Sequence, residues 1–291
     1  MDYKKVLEIA SKHLSSMEDK MMPVLDVAKP ENLDYAQHLA KVISKLSPLV
    51  GNMLEYSVCL ELNKLDWGEL GHWKRQDPGF PDTIFESELS PKPGIEIKSW
   101  FPLATEITAR FKDTVKFFEL DQTNVALVAW LPEYIIYGKP KIIDVWVGTA
   151  KSVAQARDNH YHNPPDYLVF EPEDTSARTS NLQQTNVNGY KFQGTSAQLE
   201  KAKKIVESWG YPQNEYNHTI EYQKRLQELV GQFTYRLDTN FAKIDRIQHE
   251  GIEAFKTRVL NKTIHNHTIK EWSKIVGDSS TNITELLDDI L

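Results

Sequence analysis

The chain has 291 residues, of which 40% are hydrophobic and 26% are charged, and it contains a single cysteine. This is the composition of a globular protein with a full core, and it excludes a disordered chain and a collagen-like repeat. Cys59 has no partner for an internal disulfide, so a disulfide-stapled miniprotein is excluded as well. No run of about 18 apolar residues occurs and the first residues lack an apolar segment, so we expect a cytoplasmic protein without a membrane span or signal peptide.

The charge balance is acidic, because 34 Lys and Arg face 41 Asp and Glu and give a formal net charge of −7. A chain of this sign is not drawn to a polyanion by its overall field. A nucleic-acid ligand therefore requires a local basic surface, or a metal ion held between carboxylates.

The first third of the chain has helical patterns. Apolar residues recur at helical spacing through residues 1–47, which predicts an N-terminal helical region interrupted by prolines. Pro48 suits the first turn of a further helix. An apolar stripe from Val50 to Leu62 follows, and Glu55 lies beside this stripe.

The middle of the chain changes to strand-like patterns. We expect five strands, at Ile84–Phe85, Gly94–Lys98, Asn124–Leu131, Ile142–Val147 and Tyr167–Phe170. The third is a continuous apolar run, as in a strand buried on both faces. Between the second and the third strand, apolar residues three or four apart predict an amphipathic helix: Leu103, Ile107, Phe111, Val115 and Phe118. This order predicts a crossover unit in an α/β protein.

The last third begins with a polar stretch without apolar period over residues 172–194. The segment beyond it again has helical patterns, with one long helix expected near 218–247. We therefore expect a sheet core at 48–194 between helical regions at 1–47 and 195–291, within one globular unit.

The residues that suggest chemistry lie around two of the short strands. Side chains alternate across a strand, so Glu96 and Lys98 share one face while the neighbouring isoleucines point into the core. If the strand that begins after Asp82 pairs with this strand as a hairpin, Asp82 lies beside Glu96. Neighbouring carboxylates repel, and a hard divalent cation such as Mg²⁺ relieves that repulsion. A lysine beside them holds a water or neutralises charge that develops on a phosphate.

Pro81-Asp82 followed by Glu96-Ile97-Lys98 resembles the PD-(D/E)XK motif of that nuclease superfamily. Within it, residues 48–150 are most similar to type II restriction endonucleases of the EcoRV-like and MutH-like groups. The resemblance implies a restriction-endonuclease-like mixed β-sheet core flanked by helices. It also implies a homodimer that cuts double-stranded DNA at a specific sequence with Mg²⁺, or with Mn²⁺ in its place, and without a nucleotide cofactor.

The resemblance also implies roles for individual residues. Asp82 and Glu96 correspond to metal ligands, with the Ile97 carbonyl as a further oxygen. Lys98 corresponds to the residue that positions the attacking water. Glu55 matches the upstream helix glutamate that supports metal or water in several such enzymes.

DNA contacts are predicted in two places, and a solvated polar surface explains both equally well. One is the polar loop, whose side chains suit bidentate contacts with base edges: Arg178, Asn181, Gln183, Gln184, Asn186 and Asn188. The other is the segment after the catalytic strand, where Arg110 and Lys112 are candidates for backbone contacts. Two alternatives to a restriction enzyme stay open, namely a MutH-like repair nickase and a non-catalytic DNA-binding or scaffold protein.

Overall fold

The structure, a computed structural model, describes residues 1–77, 79–104, 106–111, 118, 120–161, 168–169, 190–192, 195–214, 219–233, 235–237 and 243–277. The chain forms two compact units. The first comprises residues 1–109, 113–153 and 249–291, and the second comprises residues 110–112 and 154–248. In this grouping, the C-terminal segment from residue 249 belongs to the same unit as residues 1–47.

The described helices are α1 (Tyr3–Ser15), α2 (Leu33–Val42), α3 (Ser47–Leu62), α4 (Ala150–Tyr161), α5 (Ser196–Ser208), α6 (Ile220–Val230), α7 (Glu250–Asn261) and α8 (Ile269–Gly277). The described strands are β1 (His72–Arg75), β2 (Thr83–Glu86), β3 (Gly94–Trp100), β4 (Thr123–Pro132), β5 (Pro140–Thr149), β6 (Leu168–Val169), β7 (Tyr190–Phe192), β8 (Tyr235–Leu237), β9 (Thr263–Ile264) and β10 (His267–Thr268). None of the helices in these ranges has both the length and the apolar character that crossing a bilayer requires.

The first unit is built on a five-stranded mixed sheet in the order β1-β2-β3-β4-β5. Strands β3 and β4 run parallel, and every other neighbouring pair is antiparallel. A parallel pair requires a crossover connection, so the predicted crossover between these strands is confirmed. Strand β4 is an inner strand and almost wholly buried, as its continuous apolar run predicts. The mixed α/β class is confirmed.

Helices cover this sheet with their apolar sides. Helix α1 begins at Asp2, whose side chain accepts a hydrogen bond from the Lys5 amide at 2.8 Å, and it packs on β4 and β5. Helix α3 carries Pro48 in its first turn and packs on β1 and β3, while α7 packs on β5. Helix α3 therefore lies over the strand that carries Glu96 and Lys98.

The second unit has its own small sheet and apolar cluster. Its strands lie in the order β6-β7-β8, with β6 parallel and β8 antiparallel to β7. Helix α5 begins with a capping box between Thr195 and Gln198. Ala202 and Leu229 form the buried centre of the cluster, and Trp209 packs against it.

The predictions of two helices are wrong in part. Residues Pro102–Ala104 form a single 3₁₀ turn, residues 106–111 are not helical, and Val115 lies outside the described residues. The apolar residues of the predicted helix that the structure describes are nevertheless all buried: Leu103, Ile107, Phe111 and Phe118. Their spacing in the sequence therefore indicated the buried side of a segment that is irregular rather than helical. The β-branched Thr105, Ile107 and Thr108 disfavour a helix here.

The long helix expected near 218–247 ends at Val230. Beyond it, Tyr235–Leu237 pairs with β7, and Ile244–Arg246 forms a 3₁₀ turn. Glycine at position 231 and the aromatic and β-branched residues that follow it favour a strand over a continued helix.

One side chain joins the end of α3 to the outer edge of β1. The Asn63 amide donates to the Trp73 carbonyl at 2.7 Å and accepts from the Trp73 amide at 2.7 Å. It therefore satisfies backbone groups that the edge strand would otherwise leave to water. The Trp73 ring packs with Trp67 and Phe85 under this edge.

We predict that Asn63→Ala destabilises the first unit by about 1–2 kcal/mol, since it removes two hydrogen bonds that each contribute about 1 kcal/mol. Urea denaturation followed by tryptophan fluorescence measures the change in the free energy of unfolding. Asn52→Ala is the matched control, because Asn52 lies exposed on α3 and forms no side-chain hydrogen bond with a described residue. Equal stability of the Asn63 variant and the wild type would contradict the bridging role.

Candidate active site at the junction of β2 and β3

The pairing register of β2 and β3 brings two acidic residues together. Thr83 pairs with Ile95 and Ile84 with Gly94 in the antiparallel ladder. Continuing this register by one residue sets Asp82 opposite Glu96, and opposed residues of an antiparallel pair point to the same face. The hairpin arrangement that the sequence predicts for these strands is therefore present.

Two hydrogen bonds between carboxylates and the main chain fix this junction. The Asp82 amide donates to Glu96 Oε2 at 3.1 Å. In return, the Ile97 amide donates to Asp82 Oδ2 at 2.7 Å. Each carboxylate therefore binds the strand that carries the other, which orients both side chains with little freedom.

Lys98 completes the cluster. Its ammonium group donates to Glu96 Oε1 and lies 3.8 Å from Asp82 Oδ2. Burial alone would lower the pKa of Lys98, but the negative charges of Glu96 and Asp82 outweigh burial and raise that pKa. Lys98 is therefore a cation that faces both carboxylates.

The arrangement disfavours the ionised form of Glu96. It is 6% exposed, and burial raises its pKa from the ordinary value of 4.5 to about 7. The charge of Asp82 acts in the same direction, while Lys98 opposes it. The negative form of Glu96 thus needs more positive charge than Lys98 alone supplies.

Glu55 approaches from α3, and its partner is a residue that the sequence did not single out. Arg75, on β1, binds Glu55 Oε2 through one terminal nitrogen at 3.0 Å and Asp77 through the other at 2.8 Å. Burial and the charge of Asp82 raise the pKa of Glu55, and Arg75 opposes this rise. The charge of Lys98 also lowers the pKa of Glu55, so the Glu55 carboxylate interacts electrostatically with the cluster.

The sequence patterns did not predict strand β1, because it has only four residues and three of them are polar or charged. The signal that could have revealed it is Trp73 between the polar residues His72 and Lys74, an inward side chain in an alternating pattern. Arg75 would then have been placed two residues further along, on the same face as Trp73.

Gly94 permits the close approach of the Pro81-Asp82 segment to β3. A Cβ atom at Gly94 would lie 2.3 Å from Pro81 Cγ, much closer than any normal contact. The absence of a side chain at the start of β3 therefore lets the Pro81 ring lie on this strand. Because Asp82 follows directly, Gly94 helps to place its carboxylate beside Glu96.

The donor set fits a hard divalent cation. Asp82 and Glu96 offer carboxylate oxygens, and Mg²⁺ usually takes one or two carboxylates together with water and phosphate oxygens. The Ile97 amide points toward β2, and the carbonyl of a strand residue points to the same side as its amide. Within the described ranges, no group of three or more His, Cys, Asp or Glu residues is arranged to hold a metal.

The residues predicted to contact DNA are not brought to this cluster. Arg110 forms a β-bridge with Lys243 in the second unit. Lys112 and the six loop residues lie outside the described residues: Arg178, Asn181, Gln183, Gln184, Asn186 and Asn188. The structure therefore assembles Asp82, Glu96 and Lys98, and sets Glu55 beside them.

Comparison of the chain with protein-family models, with curated proteins and with solved structures gives no match in any of the three.

We predict that the stability of the metal-free protein falls as pH rises from about 4.5 to about 7. In this window the native state holds a proton on Glu96 that the unfolded chain has already released, so unfolding becomes easier as pH increases. Glu96→Gln should flatten this part of the profile, measured by urea denaturation at several pH values in EDTA.

The control for this profile is Glu86→Gln on the same hairpin. Lys92 lowers the pKa of Glu86, so the ionised Glu86 stabilises the fold at pH values above the ordinary Glu pKa. Glu86→Gln therefore removes stability at these pH values, which is the opposite of the effect expected for Glu96→Gln. If the free energy of unfolding of the wild type falls with pH no more steeply than that of the Glu96 variant, the raised pKa of Glu96 is contradicted.

Proposed function

We propose that this protein is a Mg²⁺-dependent endonuclease with a restriction-endonuclease-like core that hydrolyses double-stranded DNA at a specific sequence, as a type II restriction enzyme. The observation that carries the proposal is the convergence of Asp82, Glu96 and Lys98 at one strand junction, where Lys98 faces both carboxylates. Structural ion pairs alone are usually solvent-exposed and weak, whereas Glu96 is buried at a cost.

The arrangement of the sheet supports the same proposal. The residues that match the motif lie on an antiparallel hairpin, and the second hairpin strand runs parallel to the buried β4. A helix with a glutamate, α3 with Glu55, packs on that hairpin strand. These are the elements that the resemblance to the PD-(D/E)XK nucleases implies around the motif.

The chain's residues have distinct roles in the proposed reaction. Asp82, Glu96 and the Ile97 carbonyl would hold Mg²⁺, which as a Lewis acid stabilises negative charge on the phosphate oxygens. Lys98, held as a cation between the carboxylates, orients the attacking water by donating a hydrogen bond to it. Water attacks phosphorus in line and gives up a proton to solvent, the bond from phosphorus to the 3′ oxygen breaks, and that oxygen takes up a proton from solvent.

Glu55 supports the water from the side of α3. One of its oxygens binds Arg75, and the other forms no hydrogen bond with a described residue. Arg75 fixes the carboxylate in place and reduces the repulsion between Glu55 and Asp82. Arg75 is therefore a positioning residue in this proposal.

The main prediction concerns the three residues at the junction. Asp82→Asn, Glu96→Gln and Lys98→Ala should each lower the cleavage rate by about 10²-fold or more, because each removes charge stabilisation that acts in the transition state. The measurement is cleavage of phage DNA in Mg²⁺ with sequencing of the ends, together with DNA binding by fluorescence anisotropy.

Glu86→Gln is the matched control for these variants. Glu86 lies on β2, four residues from Asp82, and pairs with Lys92 at 3.0 Å on the surface, so its loss should leave cleavage unchanged. Intact DNA with the wild type in Mg²⁺ or Mn²⁺, together with retained binding, would favour a non-catalytic DNA-binding protein.

A separate prediction concerns strand number and oligomeric state. A restriction enzyme that cuts a palindrome needs two active sites related by two-fold symmetry, so we expect a homodimer in solution and linear products from circular DNA. Light scattering gives the mass, and gel electrophoresis gives the ratio of nicked to linear product. A monomer that accumulates only nicked circles would instead indicate a repair nickase.

A further inference from the structure

Two adjoining cavities lie in the first unit beside the strand of the candidate site. The larger has a volume of about 530 Å³ and is lined by Ser44, Lys45, Ser47, Ser99 and Thr108, among others. The smaller, of about 280 Å³, shares Ser44 with it and extends to Lys41. We call this continuous surface from Lys41 to Thr108 the lysine groove.

At the lysine groove, α3 lies close against β3. A Cβ atom at Gly51 would lie 2.8 Å from Ser99 Oγ, so the helix backbone lies directly against the strand there. Ser47 is one turn before Gly51, and Glu55 is one turn after it on the same face of α3. One helix thus contributes to the groove at its beginning and to the candidate site further along.

The groove is cationic and offers unused hydroxyl groups. Lys41 and Lys45 are exposed, are four residues apart, and form no ion pair with a described carboxylate. No Asp or Glu lines either cavity. The hydroxyls of Ser44, Ser47, Ser99 and Thr108 form no hydrogen bond with another described residue. On a chain with a net charge of −7, this is a local surface suited to an anion.

The groove and the candidate site adjoin at one edge of β3. Ser99 follows Lys98 directly, and neighbouring strand residues point to opposite faces. Strand β2 pairs only with Gly94 and Ile95, so in the described part of the chain no strand pairs with the same side of β3 beyond them. Lys98 and Ser99 therefore flank this open edge from the two faces of β3, and a ligand that passes around the edge contacts both.

We propose that the lysine groove binds the sugar-phosphate backbone of the DNA strand that enters the candidate site. This rests on the proposed function and deepens it, since it names the surface that holds the phosphates next to the scissile one. Lysines and hydroxyl groups are common partners of phosphate oxygens, and such contacts position the duplex without reading its sequence. The groove supplies the local basic surface that an acidic chain needs for DNA.

The test measures DNA binding by the full chain as a function of salt, with a fluorescent duplex in Ca²⁺ under conditions verified to give no cleavage. Lys41→Gln with Lys45→Gln should reduce the slope of log affinity against log salt by about 2, because each lost phosphate contact removes about 0.9. Ser47→Ala with Thr108→Ala should weaken binding at unchanged slope, because it removes neutral donors.

The control is Lys4→Gln with Lys12→Gln on α1, which changes the net charge equally on a helix that does not line the groove. Its slope should equal that of the wild type, and thermal unfolding should confirm that all variants are folded. If the groove variant keeps the wild-type slope while the wild type binds and cuts DNA, this inference is wrong and the proposed function stands. If the wild type neither binds nor cuts DNA, the proposed function itself fails and this inference with it.

Discussion

Two hydrogen bonds hold β2 and β3 together at the point where their ladder ends, and each uses a carboxylate in place of a backbone carbonyl. Asp82 accepts from the Ile97 amide, and Glu96 accepts from the Asp82 amide. A carboxylate that binds a backbone amide in this way is oriented by the strand opposite to its own. The register of one hairpin therefore decides which oxygen atoms face Lys98, and a shift of one residue would move these side chains to the opposite face.

This register also explains why Glu96 lies at a buried position that disfavours its ionised form. Burial of Glu96 disfavours its charge, and Asp82 adds repulsion, so the pair stabilises the fold less than two solvated carboxylates would. Residues selected for stability alone would be apolar or paired with a cation each. The hairpin instead stores two carboxylates beside one lysine, which is the arrangement that a catalytic centre requires before its ligands arrive.

The fold was predictable where local pattern and burial agree. Alternation predicted β3 and the shared face of Glu96 and Lys98, and the apolar run predicted the buried strand β4. The segment after β3 shows the limit, since Ile107 and Phe111 are buried as their spacing suggests, yet residues 106–111 are not helical. Periodicity reports which side chains are buried, and tertiary packing decides the backbone that buries them.

Within the candidate site, the residues of a single hairpin were predictable from their pairing, Glu55 was predictable only from the resemblance, and Arg75 was not predicted. Asp82, Glu96 and Lys98 follow from one pairing, whereas Arg75 reaches Glu55 only because β1 joins the sheet. The lysine groove is further removed, since it depends on the approach of α3 to Ser99 at Gly51. A glycine at one position of a helix carries no signal of the strand that it will touch, so this surface becomes visible only in three dimensions.

The charges around the junction balance in a way that links the site to its proposed substrate. When Glu55, Asp82 and Glu96 are all ionised, their three negative charges face two cations, Arg75 and Lys98, and leave one negative charge. Asp77 is largely exposed, so water screens its charge. A divalent cation would turn this excess into one positive charge, which equals the negative charge of a single phosphodiester. With one more acidic residue, the site with its divalent cation would be neutral and would not attract a phosphate. With one more basic residue, the carboxylates would already be neutralised and the site would not need a metal.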